Sequence, residues 1–142
     1  MTTGTKFNKF VEDLGSATMN LTSDTIKVML TNTLPVVTNH VYSDISTNEL
    51  ASGNGYTTGG GSLSGVSYTN SGGLSTLAAS AFTWTSVTGN MGPFRYVVAY
   101  DYTASPQTLI GWWDYGSSIT LAGASGQQFV FSPNSSVLAT VQ

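Results

Sequence analysis

The sequence predicts an all-β domain, a jelly-roll-like β-sandwich that carries one short N-terminal amphipathic helix. Three observations lead there. From Thr25 onward, short apolar stretches recur with turn residues every 8–12 positions or so, the spacing of sandwiches and barrels. The chain is rich in Ser, Thr, Gly and aromatic residues, a composition that favours strands and turns. Helical periodicity is confined to one segment near the N-terminus. A length of 142 residues suits one domain, 1–142, with a core of its own.

The helical segment is about 5–15. Phe7, Phe10, Val11 and Leu14 fall at i, i+3, i+4 and i+7, one face of a helix, while Asn8, Lys9, Glu12 and Asp13 take the other. Thr5 is placed to cap its start and Gly15 to end it. About three turns are too few to persist alone, so the apolar face must dock, either on the end of the sandwich or on a partner.

The first strand is 25–31, with Ile26, Val28 and Leu30 on one face. Asn32-Thr33-Leu34-Pro35 reads as a turn. In 38–51 the apolar residues keep no clean period, and Asp44 and Glu49 suit a short helical turn. The glycine-rich stretch of about 53–75 reads as a long loop or hairpin. Gly53-Asn54-Gly55 is followed by Thr58 where a nucleotide-binding loop needs a third glycine. Further strands are expected at 62–69, 78–87, 94–102, 108–114, 117–122, 127–132 and 136–141. Residues 94–102 are apolar on both faces, which marks an interior strand of a sheet covered on both sides. Tyr115-Gly116-Ser117 reads as a hairpin turn.

Composition narrows the chemistry. Charged residues make up 8% of the chain, against roughly 25% in an ordinary soluble domain. There is no Cys, so disulfides and thiolate metal sites are excluded. The net charge is −3, and of the four basic residues only Lys6 and Lys9 lie close together, which argues against binding nucleic acid. No apolar run approaches the ~20 residues of a membrane-spanning helix, and Met1 to Lys6 lack the core of a signal peptide, so synthesis in the cytoplasm is expected. A surface of hydroxyls and amides has little electrostatic defence against association, as expected of a subunit covered in an assembly.

Catalytic constellations are sparse. His40 is the single histidine and no Gly-x-Ser-x-Gly elbow accompanies it, so it reads as a surface residue. Asp101 and Asp114 end adjacent expected strands and are the one carboxylate pair to weigh for glycoside hydrolysis. No Asp-x-Asp-x-Asp-Gly run signals calcium. We therefore expect no enzyme, no catalytic residue and no cofactor or metal. Arg95, the sole arginine, needs a partner if buried, and Asp101, Asp114 or backbone carbonyls are the candidates for a structural ion pair. Trp112 and Trp113 must point to opposite faces of their strand. One or both can be core, or an exposed one can anchor a partner or stack on a sugar. With Phe7, Phe10, Val11 and Leu14 they form the candidate partner-contact set.

Several stretches together resemble a family of small virion proteins of tailed bacteriophages. They are Lys6-Phe7-Asn8-Lys9-Phe10-Val11-Glu12-Asp13-Leu14, residues 24–33, Gly53-Asn54-Gly55-Tyr56-Thr57, Gly92-Pro93-Phe94-Arg95-Tyr96 and, most specifically, Ile110-Gly111-Trp112-Trp113-Asp114-Tyr115-Gly116-Ser117-Ser118. The resemblance implies a virion component and brings no functional residues with it. Together with the composition it leads us to expect a capsid decoration (cement) protein, made in the host cytoplasm and located in the virion. Its partners would be the major capsid protein and copies of itself, as a homotrimer. The alternatives are a tail, collar or fibre-associated protein, with a binder of host glycans as one form of it, and a glycan hydrolase built on Asp101 and Asp114.

Overall fold

A computed structural model describes residues 4–133 and 137–142. The chain folds as an all-β, sandwich-like structure with one short helix. In order come β1 (Thr5–Lys6), α1 (Phe10–Gly15), β2 (Ile26–Thr31), β3 (Gly61–Ser62), β4 (Ser67–Ser71), β5 (Leu74–Ala78), β6 (Phe82–Thr85), β7 (Met91–Asp101), β8 (Leu109–Leu121), β9 (Gln128–Phe131) and β10 (Val137–Val141). Single turns of 3-10 helix occupy Tyr42–Asp44 and Ser46–Asn48, so Asp44 sits in a helical turn as expected while Glu49 follows in extended backbone.

One layer is a five-stranded antiparallel sheet in the order β1-β8-β7-β2-β3. Facing it are a three-stranded sheet, β10-β5-β4, and a two-stranded one, β6-β9. Between the layers lies the main core. Ile26, Val28, Leu30, Val97, Ala99, Ile110 and Trp113 meet Leu77, Trp84, Phe129, Phe131 and Leu138 there. The opposite face of the large sheet is also covered. Met29, Tyr96, Val98, Tyr100, Leu109 and Trp112 form a second cluster with Phe7 and Ile45. Two buried faces account for the absence of apolar/polar alternation along β7.

Four local expectations need correction. The helix is Phe10–Gly15, not 5–15. Thr5 pairs with Trp112 as part of β1, and no side chain caps the helix start at Lys9. The expected turn at Tyr115-Gly116-Ser117 lies inside β8. There Gly116 has a φ of 103° and the pairing with β7 slips in register on either side of Phe94, so the strand continues to Leu121. The expected strand 62–69 breaks into β3 and β4, and 78–87 holds the end of β5 at Ala78 and then β6. The intervening hairpin β4–β5 turns at Gly72-Gly73, both at positive φ (59° and 84°), the two-residue turn that matches strand twist. The first position of the expected strand 136–141, and Met1 to Thr3, lie outside the described residues.

Candidate functional site

Of the side chains expected to meet a partner, four are core. Phe7 and Trp112 pack on each other with ring centroids 4.7 Å apart in the outer cluster. Phe10 and Trp113 belong to the inter-layer core, where Trp113 meets Phe131 edge-on at 4.9 Å. Trp112 is 8% and Trp113 2% exposed, so neither is available to a sugar or a partner. The i, i+3, i+4 spacing misleads here because Phe7 precedes the helix. The helix is too short for Phe7 and Phe10 to share a face. Leu14 is half-buried against the core, and only Val11, 45% exposed, points outward.

Arg95 has the partner its solitary charge requires. Its Nε and Nη2 donate to the two carboxylate oxygens of Asp114 at 2.7 and 2.8 Å, a bidentate fork. Arg95 holds the Asp114 carboxyl below the usual carboxylate range, and the Gly116 N–H adds to the effect. Asp101 takes no part in this pair. It is fully buried at the end of β7, and its Oδ1 accepts from the Thr103 and Ala104 N–H groups at 3.0 Å. Asp114 pairs across the ladder with Tyr96, five residues before Asp101 on β7. That separation is about 17 Å along the strand, beyond the roughly 5–9.5 Å that a hydrolytic carboxylate pair needs. The hydrolase reading built on Asp101 and Asp114 is therefore withdrawn.

The surface feature that stands out is the segment between β2 and the 3-10 turns. Leu34 is 59% and Val36 55% exposed, and Val37 is also exposed, while Pro35 between them is buried. The segment is held on all sides. Thr31 Oγ1 donates to Asn48 O (2.6 Å) and accepts from Thr33 N (3.1 Å). Asn39 Oδ1 accepts from Val36 N, and Asn39 N donates to Val36 O. Asn8 N donates to Val37 O, which ties the segment to the chain entering α1. His40 then closes the frame. Its Nε2 lies 2.8 Å from Asp13 Oδ2, its N–H donates to Asp44, and its carbonyl accepts from Leu109 N at the edge of the large sheet. The result is a fixed apolar ridge that also lines a shallow recess of about 130 Å³ with Thr31, Asn39 and Ile45. Sequence reading saw only a turn at 32–35. The available signal was Leu34-Pro35-Val36-Val37 itself, an apolar run with neither helical nor strand period.

Behind the ridge, Glu49 fastens the following loop. Its carboxylate accepts from the Tyr42 hydroxyl, from the Tyr56 hydroxyl at 2.5 Å and from Gly59 N at 2.6 Å. The Tyr56 hydroxyl in turn accepts from Leu30 N at 3.0 Å, and Tyr100 donates to Gly59 O at 2.7 Å. Burial, first, and the neighbouring Glu49 raise the Tyr42 and Tyr56 phenols well above their ordinary value, so both stay protonated donors. Gly60 lets this loop lie on β2, because a Cβ there would fall 1.9 Å from Val28 O.

The four basic residues are each engaged. Lys6 Nζ donates to Thr140 O, Lys9 pairs with Glu12, Arg95 pairs with Asp114, and Lys27 Nζ sits 3.9 Å over the Tyr102 ring. Among the described residues no three His, Cys, Asp or Glu side chains are gathered as metal ligands, and no helix is long and apolar enough to cross a membrane. No known protein family, curated protein or solved structure matches this chain. What the arrangement offers is apolar side chains presented on a braced backbone, with Asp44 lining the same recess and the His40–Asp13 pair adjoining the segment.

Proposed function

We propose that the chain is a bacteriophage structural protein, a capsid decoration (cement) protein that binds the outside of the major capsid shell and stabilises it through many weak contacts. The observation that carries this reading is the ridge of Leu34, Val36 and Val37, exposed yet pinned by hydrogen bonds at both ends. An exposed apolar cluster on rigid backbone loses little entropy on docking and marks a contact surface. Each such side chain contributes about 1.5–3 kcal/mol at most when taken fully from water, so one copy binds weakly. A shell presenting many equivalent sites turns weak contacts into avidity, more so if copies associate as a trimer. The chain's 8% charged residues and the likeness of its Gly111-Trp112-Trp113-Asp114 stretch to phage virion proteins support the same reading.

The test is stoichiometry in the mature particle. Hundreds of copies per virion, with detachment in a Leu34→Ser/Val36→Ser variant, would support a shell-coating protein. A dozen copies or fewer would move it to the tail apparatus, and absence from particles would end the reading.

A further inference from the structure

Two buried oxygens at one end of the sandwich receive no hydrogen bond from any donor among the described residues. Asp101 Oδ2 and Thr108 Oγ1 are inaccessible to solvent, and both residues are fully buried. They are neighbours. Asp101 N donates to Thr108 O at 2.8 Å, directly after the Tyr100–Leu109 pair of the β7–β8 ladder. Residues opposite one another in an antiparallel pair present their side chains to the same face, with Cβ atoms about 4.5–5.5 Å apart. A third oxygen donor adjoins them. Tyr102 N donates to Thr25 O and Thr25 N to Thr103 Oγ1, which brings the end of β7 against residue 24. The Asp24 carboxyl lies within hydrogen-bonding reach of Asp101 there and, after burial, helps to raise the Asp101 carboxyl. Asp24 Oδ2 accepts from Asn20 N at 2.7 Å, while its Oδ1 has only a 3.5 Å contact with Ser23.

Two carboxylates beside each other repel, and none of the ion pairs among the described residues includes either of them. Leaving a buried polar group unpaired costs about 1–3 kcal/mol, and more for a charged one. Asp101 and Thr108, opposite one another at the end of the ladder, present side-chain oxygens to the same face without bonding each other. All the donors are hard oxygens, and Asp24 is half-buried. Hard, oxygen-only donor sets with carboxylates and hydroxyls select calcium over transition metals.

We propose that Asp24, Asp101 and Thr108 form a Ca²⁺ site that locks the β7–β8 connection to the start of β2. The ion takes Asp101 Oδ2, Thr108 Oγ1 and the Asp24 carboxylate, with water completing its shell. It does not depend on the decoration reading, since it acts on the fold.

The experiment titrates Ca²⁺ alone into chelator-treated protein at pH 7 by calorimetry, with thermal unfolding in parallel. We expect one site per chain with a Kd of about 0.1–1 mM, and a Tm rise of roughly 9 °C when Ca²⁺ is about 100-fold above Kd. Asp24→Asn should abolish binding. Thr108→Val should weaken it about tenfold while leaving the Tm in chelator unchanged or higher, a pattern that a purely structural hydroxyl would not give. Asp101→Asn keeps an oxygen for the Thr103 and Ala104 N–H groups, so it folds and should bind no Ca²⁺. No heat and no Tm change up to 10-fold above that Kd range, or binding that survives both Asp variants, would overturn the proposal. So would a Tm that responds to pH but not to Ca²⁺, the signature of a proton shared between the two carboxyls.

Discussion

Trp112 and Trp113 are consecutive residues buried on opposite faces of one sheet. Trp112 packs on Phe7 at 4.7 Å in the outer cluster, and Trp113 on Phe131 at 4.9 Å in the inter-layer core. The most distinctive stretch of the sequence therefore serves to hold two cores against one strand. Trp112→Ala and Trp113→Ala should each destabilise the fold by about 3–5 kcal/mol, read as a lower denaturation midpoint with little change in slope. A variant at either position that loses partner binding while keeping full stability would contradict this placement.

The Glu49 clasp makes a separate prediction. Tyr56→Phe removes one hydroxyl that both accepts from Leu30 N and donates to Glu49. Both partners lie at least partly inside, so the loss should be about 1–3 kcal/mol. Tyr42→Phe removes a single bond at a less buried site and should cost less. Denaturant unfolding of the two variants gives the order directly.

Asp101 makes stability depend on pH. Burial, first, and then the adjacent Asp24 raise its carboxyl to about 6 in the folded protein, against roughly 4 when unfolded. The folded state holds the proton more tightly, so the contribution is fully present below about pH 4 and is lost as pH rises through about 6. It amounts to about 3 kcal/mol at most. Asp24 is the neighbouring carboxylate, while the Lys27 ammonium is over the Tyr102 ring. In chelator, unfolding curves between pH 4 and 7 should show this loss in the parent protein and not in Asp101→Asn.

The Arg95–Asp114 pair has the opposite sign. Arg95, foremost, depresses the Asp114 carboxyl, so the pair stabilises above the ordinary carboxylate range and fades as pH falls through the lowered value. Both side chains are about a third exposed, so added salt should shrink the effect. Asp114→Asn should lower the Tm slightly at pH 7 in low salt and be nearly silent in 1 M salt.

Much of this was legible in the residues. The β7 segment, Phe94-Arg95-Tyr96-Val97-Val98-Ala99-Tyr100, shows its double burial because no polar position alternates with the apolar ones. The need of a lone arginine for a partner left Asp101, Asp114 and backbone carbonyls open, and only the β7–β8 register places Asp114 beside Arg95. Helix length was not legible. Phe7, Phe10, Val11 and Leu14 have helical spacing, yet Thr5 and Lys6 gain more by pairing with the edge of β8, a contact more than 100 residues away in sequence. Gly116 misled for a related reason, because a glycine serves a bulge as well as a turn and only the register of β7 against β8 decides between them. The ridge escaped notice because pattern reading looks for a period, and a loop held by side-chain hydrogen bonds has none.

The ridge bears the central claim. Leu34→Ser and Val36→Ser remove exposed side chains, so stability should change by no more than about 0.5 kcal/mol. The decisive measurement is the number of copies of the Leu34→Ser/Val36→Ser protein retained per purified particle, compared with the parent. A shell-coating protein should be present at hundreds of parent copies per particle, with near-complete loss of the folded variant. Full retention of the variant, or a parent protein absent from particles, would contradict that reading.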